Sequence, residues 1–411
     1  MSQQQGLIIV VSSDKQPAFA AALSEAMFPV IETSWAETSR AIAQSQPAAV
    51  IAATNEAVGT NLDALARQIG GMQPYLPLIV VDPKTILPEN AIPFSRTNDK
   101  WDRLPARLRA ALRLRTLHAT VLRRLNDGAA MKPNVTEIDP VRDATVLLVG
   151  RGGAYPALSV ALGERTGVVG ALSIEAAAKH LNTRDIDGIV LGEGFTDRVV
   201  EAFLTVLSED PRFRNLPVIA ALEGLTPAYD LPNLEVMSGD PACIAANALP
   251  LIRQHAFEAH LSRTLRSIDA GGLLDPLTGL LTDQAFDRDF ATAVRQTLAN
   301  GGGLSVARFA FDAANSRAKF DGARLLSKLM RRMDFGTLFD DGSALVAFAE
   351  TDLRTAQTIA RRLSSVMRHT AYDSSDRRRH EPIVSVATLE PSDTAQSLLA
   401  RLNSEGRRAA S

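Results

Sequence analysis

Arg331 and Asp334, in the run Arg331-Arg-Met-Asp334, are the residues whose types and spacing speak most directly of chemistry. A guanidinium donates two parallel hydrogen bonds to a phosphate or to the Hoogsteen edge of guanine, and a carboxylate accepts from guanine N1 and N2. Such a pair suits a guanine nucleotide. The pattern by itself is weak, because it recurs at Arg96 to Asp99, Arg184 to Asp187 and Arg266 to Asp269. Position gives Arg331 its weight: a few residues beyond Asp334 stands the polar run Asp340-Asp341-Gly342-Ser343-Ala344, followed by the apolar Leu345-Val-Ala-Phe348. A second reading makes Arg331 and Arg332 solvated charges and Asp334 a cap on the next turn.

Other groupings carry less. Gly150-Arg-Gly-Gly153 follows a strand and precedes a helix, the context of a phosphate cradle, but has neither dinucleotide spacing nor a Walker lysine, so a plain turn is expected. The six histidines are scattered, and none forms an i, i+4 pair with a third ligand, so no metal site is expected. Arg377-Arg-Arg-His380 reads as an exposed loop rather than a nucleic-acid contact.

The elements that must position these residues read as a tandem of α/β units. Leu7-Ile-Ile-Val-Val11, Ala48-Ala-Val-Ile-Ala-Ala53 and Leu76-Pro-Leu-Ile-Val-Val81 are apolar runs separated by helical stretches. Continuous apolar strands alternating with amphipathic helices predict a parallel sheet covered on both faces. Leu104, Leu108, Leu112, Leu117, Val121 and Leu125 recur at helical spacing and predict one long amphipathic helix. After the Gly- and Pro-containing stretch Asn126 to Asn134 the pattern begins again. Thr145-Val-Leu-Leu-Val149, Gly188-Ile-Val-Leu191 and Pro217-Val-Ile-Ala220 are its strands, and residues 247–268 its long helix before Gly271-Gly272. The expected organisation is a unit over 1–125, a linker over 126–143, a unit over 144–258, a linker helix over 259–273 and a last domain over 274–411.

Composition narrows the class. Across 411 residues, 46% hydrophobic and 22% charged, each unit can bury its own core. A formal net charge of -2 excludes a broad basic face of the kind that neutralises nucleic acid. Cys243 is the single cysteine, which excludes an intrachain disulfide and suits a reducing compartment. There is no leader-like start and no apolar run near the ~20 residues of a membrane span, so a soluble cytoplasmic protein is expected.

Asp275-Pro-Leu-Thr-Gly-Leu280 opens the last domain, and Gly406-Arg-Arg408 closes it. With the Arg331 and Asp340 runs between them, this domain resembles the GGDEF family, diguanylate cyclases that condense GTP into cyclic di-GMP and often bind that product at a separate Arg-x-x-Asp site. The two preceding units resemble the receiver domains of two-component signalling. The three-part order is similar to the PleD and PopA class of bacterial response regulators. The fold this implies is α/β and α+β: two flavodoxin-like receiver domains, each a parallel sheet with helices on both faces, followed by a GGDEF domain containing an antiparallel sheet.

The same resemblance implies a domain without catalytic residues, metal or cofactor. The family's paired glycines fall on Asp340 and Asp341, where carboxylates would repel phosphate, a metal-ligand position falls on Gly342, and Ser343 and Ala344 follow. The metal-binding carboxylate near the end of the strand Leu304 to Phe311 falls on Ala310, with a second on Asp312. The segment from Asp312 to Arg331 looks shortened by roughly three to four helical turns, at about 3.6 residues each, so the substrate-binding helix is expected to be lost and Asp321 to be solvated. In the two receiver-like units the phosphoacceptor falls on Ala53 and Gly192, and the acid pairs on Ser12-Ser13 and Gly150-Arg151. Asp82 stands where a Ser or Thr is usual, and Asp14 reads as a helix-initiating carboxylate.

What remains is a ligand site. Arg331, Asp334, neighbouring Arg332, and Arg362 on the helix after the hairpin, with Arg361 beside it, are implied to hold cyclic di-GMP as a regulatory ligand. The receiver-like units are then docking modules for a homodimer or for protein partners in protease delivery, polar localisation or cell-cycle control. A ligand-independent dimeric scaffold is the alternative, and an active diguanylate cyclase a third reading.

Overall fold

A computed structural model of the chain describes residues 6–13, 17–53, 59–96, 101–127, 139–222, 225, 229–311, 316–367, 370–371 and 382–410. In chain order the elements begin β1 (Ile8–Val11), α1 (Ala18–Glu25), β2 (Val30–Thr33), α2 (Thr38–Ser45), β3 (Ala49–Ala53), α3 (Gly59–Gly70), β4 (Leu78–Val81), β5 (Ala91–Phe94) and α4 (Leu104–Asp127). There follow β6 (Thr145–Val149), α5 (Tyr155–Gly163), β7 (Gly167–Ala171), α6 (Ile174–Thr183), β8 (Gly188–Leu191), α7 (Asp197–Glu209), β9 (Val218–Ala220), β10 (Leu234–Val236) and α8 (Pro241–Asp269). The last stretch holds α9 (Asp283–Asn300), β11 (Leu304–Ala310), α10 (Ser316–Leu329), β12 (Phe335–Leu338), β13 (Ser343–Ala349), α11 (Leu353–Met367), β14 (Thr370–Ala371), β15 (Ile383–Thr388) and α12 (Ala395–Ala410).

These elements form two compact units. One comprises Met1–Leu162, Ala171–Ile174 and Asp187–Leu261; the other Gly163–Gly170, Glu175–Ile186 and Ser262–Ser411.

In the first unit the strand order is β2-β1-β3-β4-β5, every pair parallel. This is the doubly wound, flavodoxin-like order. The apolar strands are explained by burial on both faces. Ile8, Val10, Ile51, Ile79 and Phe94 pack with Phe19, Leu23, Leu104 and Leu108 of α1 and α4. Ile9, Val11, Val50, Leu78 and Val80 pack with Ile42, Leu62, Leu65 and Ile69 of α2 and α3. The second half repeats part of this plan: β6 pairs with β8, β8 with β9 and β9 with β10, all parallel. The strands that the sequence pattern did not mark are short or interrupted. Glu32 and Thr33 break the apolar character of β2, Pro93 lies inside β5, and β10 is only Leu-Glu-Val.

The two halves of this unit are locked by Arg107. Its Nε donates to the Pro232 carbonyl at 2.5 Å, Nη1 to the Pro93 carbonyl at 2.5 Å, and Nη2 to Glu235 Oε1 at 2.7 Å. The Ser95 N–H donates to the other Glu235 oxygen at 3.0 Å, and Arg103 donates to the Leu234 carbonyl. Both partners of the Arg107–Glu235 pair are 0% exposed.

The second unit is built on the antiparallel sheet β12-β13-β11-β15. Alternation sends Ala307, Phe309, Val346 and Phe348 to the face covered by α10 and α11, and Leu304, Val306, Leu345 and Ala347 to the face covered by α9 and α12. Within the same unit β14 pairs antiparallel with Val168 and Val169 of β7.

Here the expectation of a lost helix is corrected. The segment before Arg331 is occupied by α10, 14 residues long, whose Ala323, Leu325 and Leu326 fill the core. Asp321 is not solvated either: it is buried in α10, 3.1 Å from Nη1 of the buried Arg184. Among the described residues no helix is long and apolar enough to cross a membrane.

Candidate functional site

The Asp275-to-Leu280 run is a self-contained turn. Asp275 Oδ2 accepts from the Thr278 N–H at 3.1 Å and the Thr278 hydroxyl at 2.6 Å, while Oδ1 accepts from the Leu277 N–H at 3.2 Å. Gly279 has a φ of +75°, a left-handed conformation that favours glycine, and its carbonyl accepts from Ser327 of α10. Arg324 donates to the Leu277 carbonyl, and Leu280 is buried. Asp275, Thr278, Gly279 and Leu280 therefore each have a local structural reason for their type.

Beyond it β12 and β13 form a hairpin, with Leu338 opposite Ala344. The Phe339 N–H donates to the Ser343 carbonyl and the Gly342 N–H to the Phe339 carbonyl, and Gly342 takes a φ of +80°. Gly342 thus serves the turn. Asp341 Oδ1 accepts from the Ser343 N–H at 2.8 Å and its hydroxyl at 2.6 Å, and Oδ2 accepts from Arg308 Nη2 at 2.7 Å. Partial burial pushes the Asp341 carboxyl up, but the Ser343 bonds and the Arg308 charge outweigh it and hold it below the usual carboxylate range. Asp340 is exposed. Ala310 lies opposite Ser343 and offers the hairpin no carboxylate; Asp312 lies outside the described residues. A cavity of about 330 Å³ beside the hairpin is lined by Arg308, Asp341, Ser343 and Asn403 among others. Among the described residues no group of three or more His, Cys, Asp or Glu side chains is placed to hold a metal ion.

The Arg331 run is the turn between α10 and β12. Arg331 and Arg332 are exposed, whereas Asp334 is buried. Its carboxylate accepts from the Arg331 N–H at 3.3 Å and the Ala349 N–H at 3.3 Å, while its own N–H donates to the Arg331 carbonyl at 3.0 Å. Burial raises the Asp334 carboxyl above its ordinary range, against the pull of those two N–H groups and the Arg331 charge. Asp334 orders the turn that presents Arg331, so the capping reading describes its contacts. Arg361 and Arg362 are exposed on α11.

In the first unit, β3 ends at Ala53, opposite Val81 of β4, and Gly192 follows β8 directly, its N–H donating to the Val149 carbonyl. Asp82, with a φ of +46°, accepts from the Arg96 N–H at 3.0 Å and pairs with its guanidinium at 2.9 Å. The Gly150 loop is closed rather than open to phosphate: the Arg151 and Gly152 N–H groups both donate to the Glu193 carbonyl. A side chain at Gly152 would meet Glu193 Cβ at 2.5 Å. Asp14 lies outside the described residues.

Two residues escaped the sequence pattern. Arg107 shares a helical stripe with Leu104, Leu108 and Ala111, all fully buried, and that placement of a charge was the available signal. Arg184 belongs to one of the recurrent Arg-x-x-Asp runs, yet is 1% exposed; nothing local in the sequence marks it.

No protein-family model matches the chain, and no curated protein does. Solved structures are similar to about a third of it. The coiled coil and GGDEF domain of DgcB from Caulobacter crescentus, in complex with c-di-GMP, shares 16% identity over 36% of this chain and 86% of that one, with a TM-score of 0.30. The FimX GGDEF domain from Pseudomonas aeruginosa shares 20% over 34% and 93%, with a TM-score of 0.30. A sensory box/GGDEF family protein from Caulobacter crescentus CB15 shares 22% over 34% and 97%, with a TM-score of 0.29.

Proposed function

We propose that the chain is a non-catalytic regulatory protein, in which a GGDEF-like domain binds cyclic di-GMP and two receiver-like halves dock a partner or a second copy. The observation that carries the first clause is the hairpin: Asp341 is held by Ser343 and Arg308, and Gly342 is needed for the turn. Ala310 and Gly342, at the positions that the family uses for metal, have no carboxylate to offer. The ligand reading is supported by the exposed guanidiniums of Arg331 and Arg332 on a turn ordered by Asp334, with Arg362 on α11 as a further donor. Arginine recognises phosphate and the guanine Hoogsteen edge through bidentate bonds. Asp334 acts in this reading as a positioning residue. Ala53 and Gly192 in place of acceptors leave the receiver-like halves without phosphotransfer, so their role is docking, including polar placement of a client.

The buried Asp334 carboxylate favours a second reading, a scaffold that needs no ligand. Calorimetric titration of the full chain with cyclic di-GMP decides between them. Binding at micromolar protein that is lost in Arg331→Ala, with circular dichroism unchanged, supports the receptor; no heat from the unaltered chain sinks it. Turnover of GTP with magnesium would overturn the claim of inactivity.

A further inference from the structure

A cavity of about 730 Å³ lies in the first unit, far from Arg331 in sequence and independent of the cyclic di-GMP reading. Its walls come from the end of α3 and the loop after it (Ile69, Met72, Leu76), from α4 (His118) and from α8 (Pro250, Gln254, Phe257). The volume is that of a small-molecule site, which is typically apolar with a few placed polar groups.

Those polar groups have a pattern. Gln254 is 8% exposed, borders the cavity and makes no hydrogen bond to a described residue. Its amide atoms keep access to solvent at the cavity, where a ligand can reach them, and Gln offers one acceptor beside two donors. The Tyr75 N–H donates to His118 Nδ1 at 3.0 Å, which fixes the neutral tautomer and leaves Nε2–H as a donor. Phe257 stands edge-on to His118 and Tyr75, at centroid distances of 5.2 and 6.0 Å. Charge at the rim is balanced in number: Arg253 pairs with Glu89 at 2.8 Å and Asp139 at 3.8 Å, and the lining also holds one acid, Asp63, and one base, Arg67, whose Nε donates to the Asp63 backbone carbonyl.

We propose that this cavity binds an uncharged planar aromatic molecule with an adjacent N–H and C=O, a lactam or aromatic amide, its ring against Phe257 and its polar edge on the Gln254 amide. The apolar and aromatic lining of Met72, Leu76, Pro250 and Phe257 selects the ring. Gln254 selects the donor–acceptor edge, and the paired rim charges give no preference for an ion.

Saturation-transfer NMR on the full chain tests this with three probes: quinolin-2-one, quinoline, which has the ring but not the lactam edge, and 2-naphthoate, which carries a charge. Quinolin-2-one is expected to bind best, with affinity falling about tenfold or more in Gln254→Leu. Phe257 also lines the cavity, and Phe257→Leu, which keeps an apolar side chain but removes the aromatic partner, is expected to weaken quinolin-2-one binding with circular dichroism unchanged. No transfer from millimolar quinolin-2-one, equal binding of all three probes, or unaltered affinity in Gln254→Leu overturns the proposal. Should Gln254→Leu not fold, unaltered affinity in Phe257→Leu overturns it instead.

Discussion

Arg107 and Arg331 are the same residue type in opposite circumstances. Arg107 is buried in the first unit, with Nε, Nη1 and Nη2 each donating to a backbone carbonyl or to Glu235. Arg331 is exposed in the second, on a turn held by the buried Asp334. A charge taken out of water must be paired and hydrogen-bonded, so Arg107, with four of its five N–H groups bonded and no exposed surface, belongs to the architecture. Arg331 keeps its donors in water, where they cost nothing to hold and are free to meet a phosphate. The difference teaches that an arginine left free for a ligand is told from a structural one by what it does not touch.

The comparison can be broken most forcefully at the buried pair. Removing Glu235 leaves the Arg107 charge unpaired in the interior, and Glu235→Ala is expected to destabilise the first unit by about 3–5 kcal/mol, read from chemical denaturation. Replacing both partners by apolar residues, Arg107→Met with Glu235→Leu, is expected to cost much less than the two single changes combined, because no charge is then left buried. A combined loss equal to the sum would mean that the pair is not coupled.

The second unit gives smaller effects that sharpen the contrast. Asp334→Ala removes the acceptor of the Arg331 and Ala349 N–H groups and is expected to cost about 1–3 kcal/mol. Arg331→Ala is expected to stay within about 0.5 kcal/mol of the unaltered chain, as exposed positions do. If Arg331→Ala were the more destabilising of the two, its guanidinium would be structural after all.

Acid titration supplies the smallest and most selective signal. The Asp341 carboxyl is depressed in the folded chain, so its contribution is present above the unfolded Asp value of about 3.9 and is lost as pH falls through the folded value. Asp334 has the opposite sign. Raised by burial, it binds its proton more tightly when folded, and stability declines as pH rises from the unfolded value through the folded one. Denaturation midpoints followed against pH are therefore expected to lose acid sensitivity in Asp341→Asn and to flatten in the opposite direction in Asp334→Asn.

Much of the architecture was legible in the chain. Thr145 to Val149 and Gly188 to Leu191 are strands with the bounds that their apolar character suggests, and the leucine stripe from Leu104 onward is one helix, α4. Legibility failed at β2, β5 and β10, where Glu32, Pro93 and Glu235 interrupt the pattern and tertiary partners compensate. It failed again at α10, because a family-length comparison implied a lost helix where a shorter one still covers the sheet. At the candidate site the turn and the hairpin were legible from Arg331 to Ala344. The inward direction of Asp334 was not, since an Arg-x-x-Asp string reads the same whether its carboxylate faces a ligand or two backbone N–H groups.

The order of residues by itself determined the alternation of strands and helices, the absence of a carboxylate at Ala310, Gly342, Ala53 and Gly192, and the presence of glycine at Gly279 and Gly342. These follow from local periodicity, side-chain identity and backbone sterics, which act within a few residues. Only the tertiary structure decided which charges are buried. Arg107 meets Glu235, and Arg184 meets Asp321, across separations of more than a hundred residues. Gln254 acquires its unpaired place beside Phe257 only when α8 lies against the end of α3 and α4. Burial is a property of what the rest of the chain places around a residue, so no local reading of the residue can supply it.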